Sequence, residues 1–437
     1  MTMKIGMSSG IRIGRGGIGV GSVYGTGGQT FVQRIPEYPI VAIRGMAPNI
    51  LATGGYEHNS VRIRLKNAAQ AAIELGFDFP NYYVDTNGSG EIATGNDITI
   101  EAALENSAGS IVNRILFDGQ NILTVPNGET RSVRSLKSSL LGSADTSGFN
   151  GEFFLRLDVR CPPGGRIPAC FSNGQTGDGT FLNNSVTNQC MNTGAIIADG
   201  GISAAGYMPI AVRGKWKVAR GISMGIHGDS IDYGSNGTGL TGFGNSNGGS
   251  TMQALYNLGG TGLVASAKLA RGGDRAASFL TAGSQRRLIR DGMTHVKFGA
   301  GTNDLAAGMT GRELWAIIET IGKEYASAGV FFIYRLLFPK TLDPTFNWAT
   351  KNDQVLNAAF DTARDYVIQA ALDAQGSWWL GALLDLRSVV EDAEDHRCWK
   401  TTGVADAVTD DGIHPANVYI PTIAAAEASL YSTLIVP

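Results

Sequence analysis

Cysteine is scarce in this 437-residue chain: Cys161, Cys170, Cys190 and Cys398 are too few to staple a protein of this size. A single bridge among the first three fits their turn-rich stretch, and reduced, buried thiols are the plainer reading. An excess of charge of either sign is also missing. With 35 Lys and Arg against 38 Asp and Glu the formal charge is −3, which gives no footprint for nucleic acid and no basic surface for anionic lipid. No apolar run approaches the roughly 18 residues of a membrane span. The first residues scatter Gly, Arg and Ser where a signal peptide needs a continuous apolar stretch. The expectation is therefore synthesis in the cytoplasm with no membrane partner; release or incorporation into a larger particle stays open. Proline numbers only 14, so the glycine content cannot be collagen-like.

What the chain has instead is glycine, 60 residues of it, about twice ordinary usage. Ten fall in the first 30 residues and twelve more between Gly225 and Gly262. At 43% hydrophobic and 8% aromatic the chain is too apolar to be disordered, and its length allows two or three domains. Residues 1–50 read as a Gly-rich arm. From 51 to 205 the apolar pattern has period two: Val61, Ile63 and Leu65; Ile98, Ile100, Ala102 and Leu104; Phe153, Leu155, Leu157 and Val159. That alternation predicts strands with one buried face. Asp118-Gly119 and Asn127-Gly128 supply hairpin turns, and some helix is expected near Asn67–Leu75. This part reads as a jelly-roll-like β-sandwich, an accessory domain suited to binding carbohydrate.

From 206 to 437 the character changes. Lys217–Ile226, Thr294–Ala300, Gly329–Phe338 and Leu380–Leu386 read as strands, the last two near-continuously apolar as parallel strands covered on both faces must be. Between them lie helical faces: Leu314, Ile317, Ile318, Ile321 and Tyr325, opened by a Thr310-x-x-Glu313 capping box and closed by Gly329, then Val355, Leu356, Phe360, Ala363 and Val367. Strands alternating with helices predict an α/β fold with a doubly wound, three-layer parallel sheet.

Three segments of this region carry reactive residue types: Gly228-Asp229-Ser230 after one strand, Gly301-Thr302-Asn303-Asp304 after another, and Asp411-Gly412-Ile413-His414 before the last helix. The carboxyl ends of parallel strands are where such folds bind ligands, and Ser, His and Asp together are the parts of a nucleophilic triad. In order and context these segments resemble blocks I, III and V of the SGNH, or GDSL, hydrolases, with Gly272-Gly273-Asp274 in the place of block II. The resemblance covers about residues 215–437. It implies a serine esterase with Ser230 as nucleophile, His414 as general base and Asp411 as its orienting carboxylate. It further implies an oxyanion hole made by the Ser230 and Gly273 N–H groups and the Asn303 amide, with no cofactor and no metal. Gly272 and Gly260 stay open as alternatives to Gly273, and Asp304 reads as a structural acceptor.

Other motifs are weaker. Gly6–Gly10 and Gly244–Gly248 match G-x-S-x-G without the strand-to-helix turn that motif needs, and Gly260–Ala265 matches a dinucleotide pattern with no buried strand before it. His396 and Cys398 sit in an acidic run with no second ligand pair, and His227 reads as a packing residue near the site. Trp348, Trp378, Trp379 and Trp399 could stack on sugar rings or fill the core. No strongly amphipathic segment offers a lipase lid. The expected substrate is an acylated carbohydrate or small ester bearing a short acyl group, most simply acetyl. The rivals are a lipase or thioesterase of the same family, and a non-catalytic glycan-binding or particle-attachment protein.

Overall fold

The structure, a computed structural model, describes residues 23–434 apart from 25–30, 44, 49, 52–55, 68–71, 143–150, 171–177, 185–186, 199–201, 204–205, 217–221, 236–248, 260–263 and 343–346. The G-x-S-x-G matches, most of the Gly-rich arm and most of the Gly/Asn/Ser loop at 234–250 lie outside the described residues.

Period-two patterning in the first half becomes an antiparallel sandwich. His58–Asn67, Ile98–Asn106 and Glu152–Arg160 are the long strands of an eight-stranded sheet, with Ala102 opposite Leu157 and Leu157 opposite Val61. Their inward residues meet Leu75, Phe77, Phe79 and Val133 of a three-stranded sheet in one apolar core. The opposite face is not bare either: Arg62 and Arg156 both bond the fully buried Glu105 there. The helix expected near Asn67–Leu75 is not formed where the chain is described. Ala72–Pro80 is a strand between Thr130–Lys137 and Ala211–Trp216, because Leu75, Phe77 and Phe79 face the core at alternate positions. Packing on two neighbours outweighs a local helical preference.

The second half is built on a six-stranded, all-parallel sheet. Its spatial order is Ala382–Leu384, Phe331–Arg335, His295–Phe298, Ile222–His227, Val264–Lys268 and Gly45–Met46. The central strands are buried on both faces, as their apolar composition requires. Helix Gly311–Ser327 starts at the capping box of Thr310 and Glu313. Helix Ala358–Asp373 starts later than its pattern suggested, after the N-cap Asn357. Val355–Leu356, read as part of that helix, pairs instead with Thr341–Leu342.

The arm expected through residue 50 is built into the fold well before that. Phe31, Ile40 and Ala47 belong to the core of the parallel sheet, and Gly45–Met46 forms its edge strand, opposite Ala267 and Lys268. Tyr82 and Val84, from the sandwich half, join the same core. Among the described residues no disulfide joins the cysteines; Cys161 is partly exposed and the other three are buried. Among the described residues no helix is long and apolar enough to cross a membrane.

Candidate active site

Strand order fixes the position of the site. From Ile222–His227 the chain goes to Val264–Lys268 on one side, then to His295–Phe298 on the other. The carboxyl end of Ile222–His227 is therefore a switch point, where diverging connections leave a crevice. Ser230 opens the four-residue helix Ser230–Tyr233 directly above that end. Gly272-Gly273 follows the strand on one side, and Asn303 follows the strand on the other.

The last segment comes to the same place. His414 Nε2 lies 2.6 Å from Ser230 Oγ, and its Nδ1 lies 2.5 Å from Asp411 Oδ2. Asp411 is itself fixed, because its Oδ1 accepts the N–H groups of Ile413 and His414 at 2.8 and 2.7 Å. Between them Gly412 takes φ +74°, and a Cβ there would meet the Thr341 carbonyl at 2.2 Å, so only glycine fits. The Gly412 carbonyl receives Thr341 N and Trp399 Nε1, and Thr409 Oγ1 bonds the Gly412 N–H and the His414 carbonyl. Burial alone would lower the pKa of His414. The bond and charge of Asp411 more than offset this, and the imidazole stands above its ordinary value. For Asp411 burial acts upward, and His414 outweighs it to hold the carboxyl below its usual range.

Donors lie around the serine. Asp229 caps its helix by accepting the Ile231 N–H at 3.0 Å, which leaves the Ser230 N–H with no acceptor among the described residues. The same is true of Gly272 and Gly273. Gly273 has φ +79°, and its missing Cβ would point at the Thr86 carbonyl. The position of a Cβ on Gly272 would instead lie 3.9 Å from Ser230 Cβ. Gly272 thus borders Ser230 more directly than the Gly273 named from sequence, while Gly273 supplies the backbone turn. Asn303 Nδ2 donates one hydrogen to the Asp274 carbonyl at 3.0 Å and has a second to offer. Asp304 is a structural acceptor: its two oxygens take the Ala276 and Ala277 N–H groups at the start of helix Ala276–Ala282. Burial pushes its carboxyl up to about 6.

Other sequence candidates lie away from the chemistry. His227 is buried against Phe279 with its Nε2 2.8 Å from Tyr325 OH, a packing role. His396 is exposed and pairs with Asp365, and among the described residues no group of ligands could hold a metal. Trp348, Trp379 and Trp399 are buried in the core, so the idea of these as sugar platforms is corrected; Trp399 supports the histidine loop instead. Two neighbours of the site were not foreseen. Beneath Ser230, Asp232 contacts Lys297 Nζ and Arg335, all fully buried. Beside Gly273 lies the 82–93 hairpin of the first half. Neither leaves a signal in the local sequence pattern.

No family model matches the chain, and no curated protein matches it. Among solved structures it is similar to a GDSL-like lipase from Bacteroides thetaiotaomicron, at 13% identity and a TM-score of 0.34 over 48% of this chain and 86% of that one. It is also similar to an acetyl-xylooligosaccharide esterase mutant from Geobacillus, at 16% and 0.35 over 48% and 92%. An active-site mutant of a family two carbohydrate esterase from Clostridium thermocellum matches at 12% and 0.33 over 87% and 93%. In the order of its segments around Ser230, Gly272-Gly273, Asn303 and His414, the second half of this chain resembles the SGNH hydrolases.

Proposed function

We propose that this protein hydrolyses esters of short acyl groups, acetyl above all, carried on a carbohydrate, through an acyl-enzyme on Ser230. The observation that supports it is the hydrogen-bonded series from Ser230 through His414 to Asp411 at a strand-order switch point. In this reading His414 Nε2 takes the Ser230 proton as Oγ attacks the ester carbonyl, and Asp411 stabilises the resulting imidazolium. The negative oxygen of the tetrahedral intermediate is met by the Ser230 N–H, an N–H of the Gly272-Gly273 turn and the free hydrogen of Asn303. Each such donor is worth about 2.7–4 kcal/mol in the transition state. His414 then protonates the leaving sugar oxygen, and water enters by the reverse sequence to release the acid.

The carbohydrate part of the reading draws on the sandwich half, whose 82–93 hairpin ends beside the site in exposed, polar Thr86 and Asn87. Ser230→Ala tests the reaction. Hydrolysis of p-nitrophenyl acetate is expected to fall at least about 10⁴-fold with the fold intact. Unchanged hydrolysis would place the chemistry elsewhere, and an inactive wild type that still binds glycans would support a binding or attachment role. A p-nitrophenyl ester series and acetylated xylan test the substrate, and preference for C8 or longer chains would overturn the short-acyl reading.

A further inference from the structure

The 82–93 hairpin belongs to the first half in sequence but is bonded into the second. Its strands Tyr82–Val84 and Glu91–Ala93 pair antiparallel, and the tip closes with Asp85 N bonding the Gly90 carbonyl. Glu91, nearly buried, accepts the Gln285 and Arg286 N–H groups at 2.8 Å each and the Arg286 Nε at 3.1 Å. Arg286, with no exposed surface, extends its Nη1 to Asp274 and to the Leu269 carbonyl. Asp274 directly follows Gly272-Gly273, and its carbonyl is the acceptor of Asn303. At the tip, Ser278 Oγ donates to the Gly88 carbonyl, and the Thr86 carbonyl lies where a Gly273 Cβ would be.

One guanidinium between two carboxylates, all withdrawn from water, contributes little to stability, since apolar side chains of similar volume would serve as well or better. What such a group does well is fix one geometry. We infer that Glu91 and Arg286 are positioning residues for acyl transfer: through Asp274 they set the Gly272-Gly273 turn against the Thr86 carbonyl, so that the first half of the chain completes the site. This rests on the proposed esterase reading.

The test uses the full chain, with p-nitrophenyl acetate as substrate and diethyl p-nitrophenyl phosphate to titrate reactive serine. Glu91→Gln keeps the size of the side chain and removes the charge that holds Arg286. The expected result is a kcat lower by about ten-fold or more, KM within about two-fold, and an unchanged fraction of titratable sites. Ser278→Ala frees only the hairpin tip and is expected to lower kcat by a smaller factor in the same direction; it decides the matter should Glu91→Gln not fold. Wild-type kcat in folded variants would overturn the inference, as would a rate loss matched by an equal loss of titratable sites. Hydrolysis retained by Ser230→Ala would remove the esterase reading and this inference together. An inert Ser230→Ala beside an unaffected Glu91→Gln would remove this inference alone.

Discussion

Adjacent glycines at 272 and 273 offer a comparison in which one added methyl does opposite things. At Gly273 the backbone has φ +79°, a conformation that costs an L-residue about 1–2 kcal/mol. The methyl of Gly273→Ala would also lie 1.8 Å from the Thr86 oxygen and 2.8 Å from its carbon, both backbone atoms. Either the turn or the hairpin must then move by roughly 1 Å or more, a displacement large enough to spoil catalytic alignment. Because Glu91 anchors the hairpin, the turn gives way and an N–H donor is lost. Losing one donor corresponds to about 2.7–4 kcal/mol, or a fall of about 10²–10³ in kcat, and melting drops as well. At Gly272 a methyl meets, among the described residues, nothing nearer than Ser230 Cβ at 3.9 Å and Ser235 Oγ at 4.0 Å. Gly272→Ala should therefore melt within a degree or two of wild type, or slightly higher through a stiffer unfolded chain. Its methyl stands beside the nucleophile, so kcat/KM should fall more for butyrate than for acetate esters. Steady-state kinetics on both esters and thermal melts of both variants provide the measurement. A Gly273→Ala enzyme with near-native kcat and melting, or a Gly272→Ala enzyme that is the less stable of the two, would refute the reasoning.

Two further perturbations test the acid–base groups. In the proposed mechanism the base form of His414 is the active one, and its pKa is raised, so the acid limb of kcat/KM should have its midpoint above 6.5, with activity lost as pH falls through it. Asp411→Asn should move that midpoint down and lower the plateau by about 10³–10⁴-fold; an unmoved limb would deny Asp411 its role. Asp304 titrates at about 6 in the folded protein against an ordinary 3.8, so its contribution to stability is full below about pH 4 and is lost as pH rises through 6. Asp304→Asn keeps one acceptor for the Ala276 and Ala277 N–H groups, costs about 1 kcal/mol at pH 4, and flattens the melting-temperature profile between pH 4 and 6.

Elements with strong periodicity were legible in advance. The alternation in 58–67, 98–106 and 152–160, the capping box at Thr310 and the apolar runs around 331–335 each state their geometry in a few consecutive residues, because each buries a face in a fixed repeat. The segments that meet at the candidate site stood out for a related reason: a serine on a tight turn and a His three residues after an Asp are local patterns. What could not be read depends on partners far along the chain. Gly45–Met46 is two residues long and is a strand only because Val264–Lys268 lies beside it. Ala72–Pro80 carries helix-compatible composition at its start and is a strand because two neighbours claim it. The 82–93 hairpin has three-residue strands, too short for a period, and Glu91 finds its partner 195 positions away. The tryptophans left two readings open, and burial of Trp348, Trp379 and Trp399 decides for the core, because composition reports that an aromatic is present and not which way it faces.

Buried charge beneath Ser230 explains how it and His414, 184 residues apart, meet at hydrogen-bond distance. A four-residue helix has too few internal bonds to hold its own orientation. Ser230–Tyr233 is instead tied down from below: Asp232 contacts Lys297 of one neighbouring strand and Arg335 of the next, and Arg335 also bonds the Gly299 carbonyl at 2.6 Å. Lys297 Nζ continues to Thr251 Oγ1 at 3.0 Å, and Thr251 donates to Glu427 at 2.7 Å. Glu427 lies on Ile420–Leu434, the helix that follows the histidine loop, where it also accepts Ser250 and Tyr431. A polar path therefore runs from the helix of Ser230, through the strand His295–Phe298 and the helix Gly249–Gly259, to the helix that follows the loop of His414. Buried ionic groups add little net stability, but each has few satisfactory arrangements, so a series of them resists the small shifts that an apolar core of equal volume would tolerate. On this account the chain places its charged residues in the middle of the sheet for alignment: the serine and histidine are delivered by separate segments, and their common framework keeps the distance between them short.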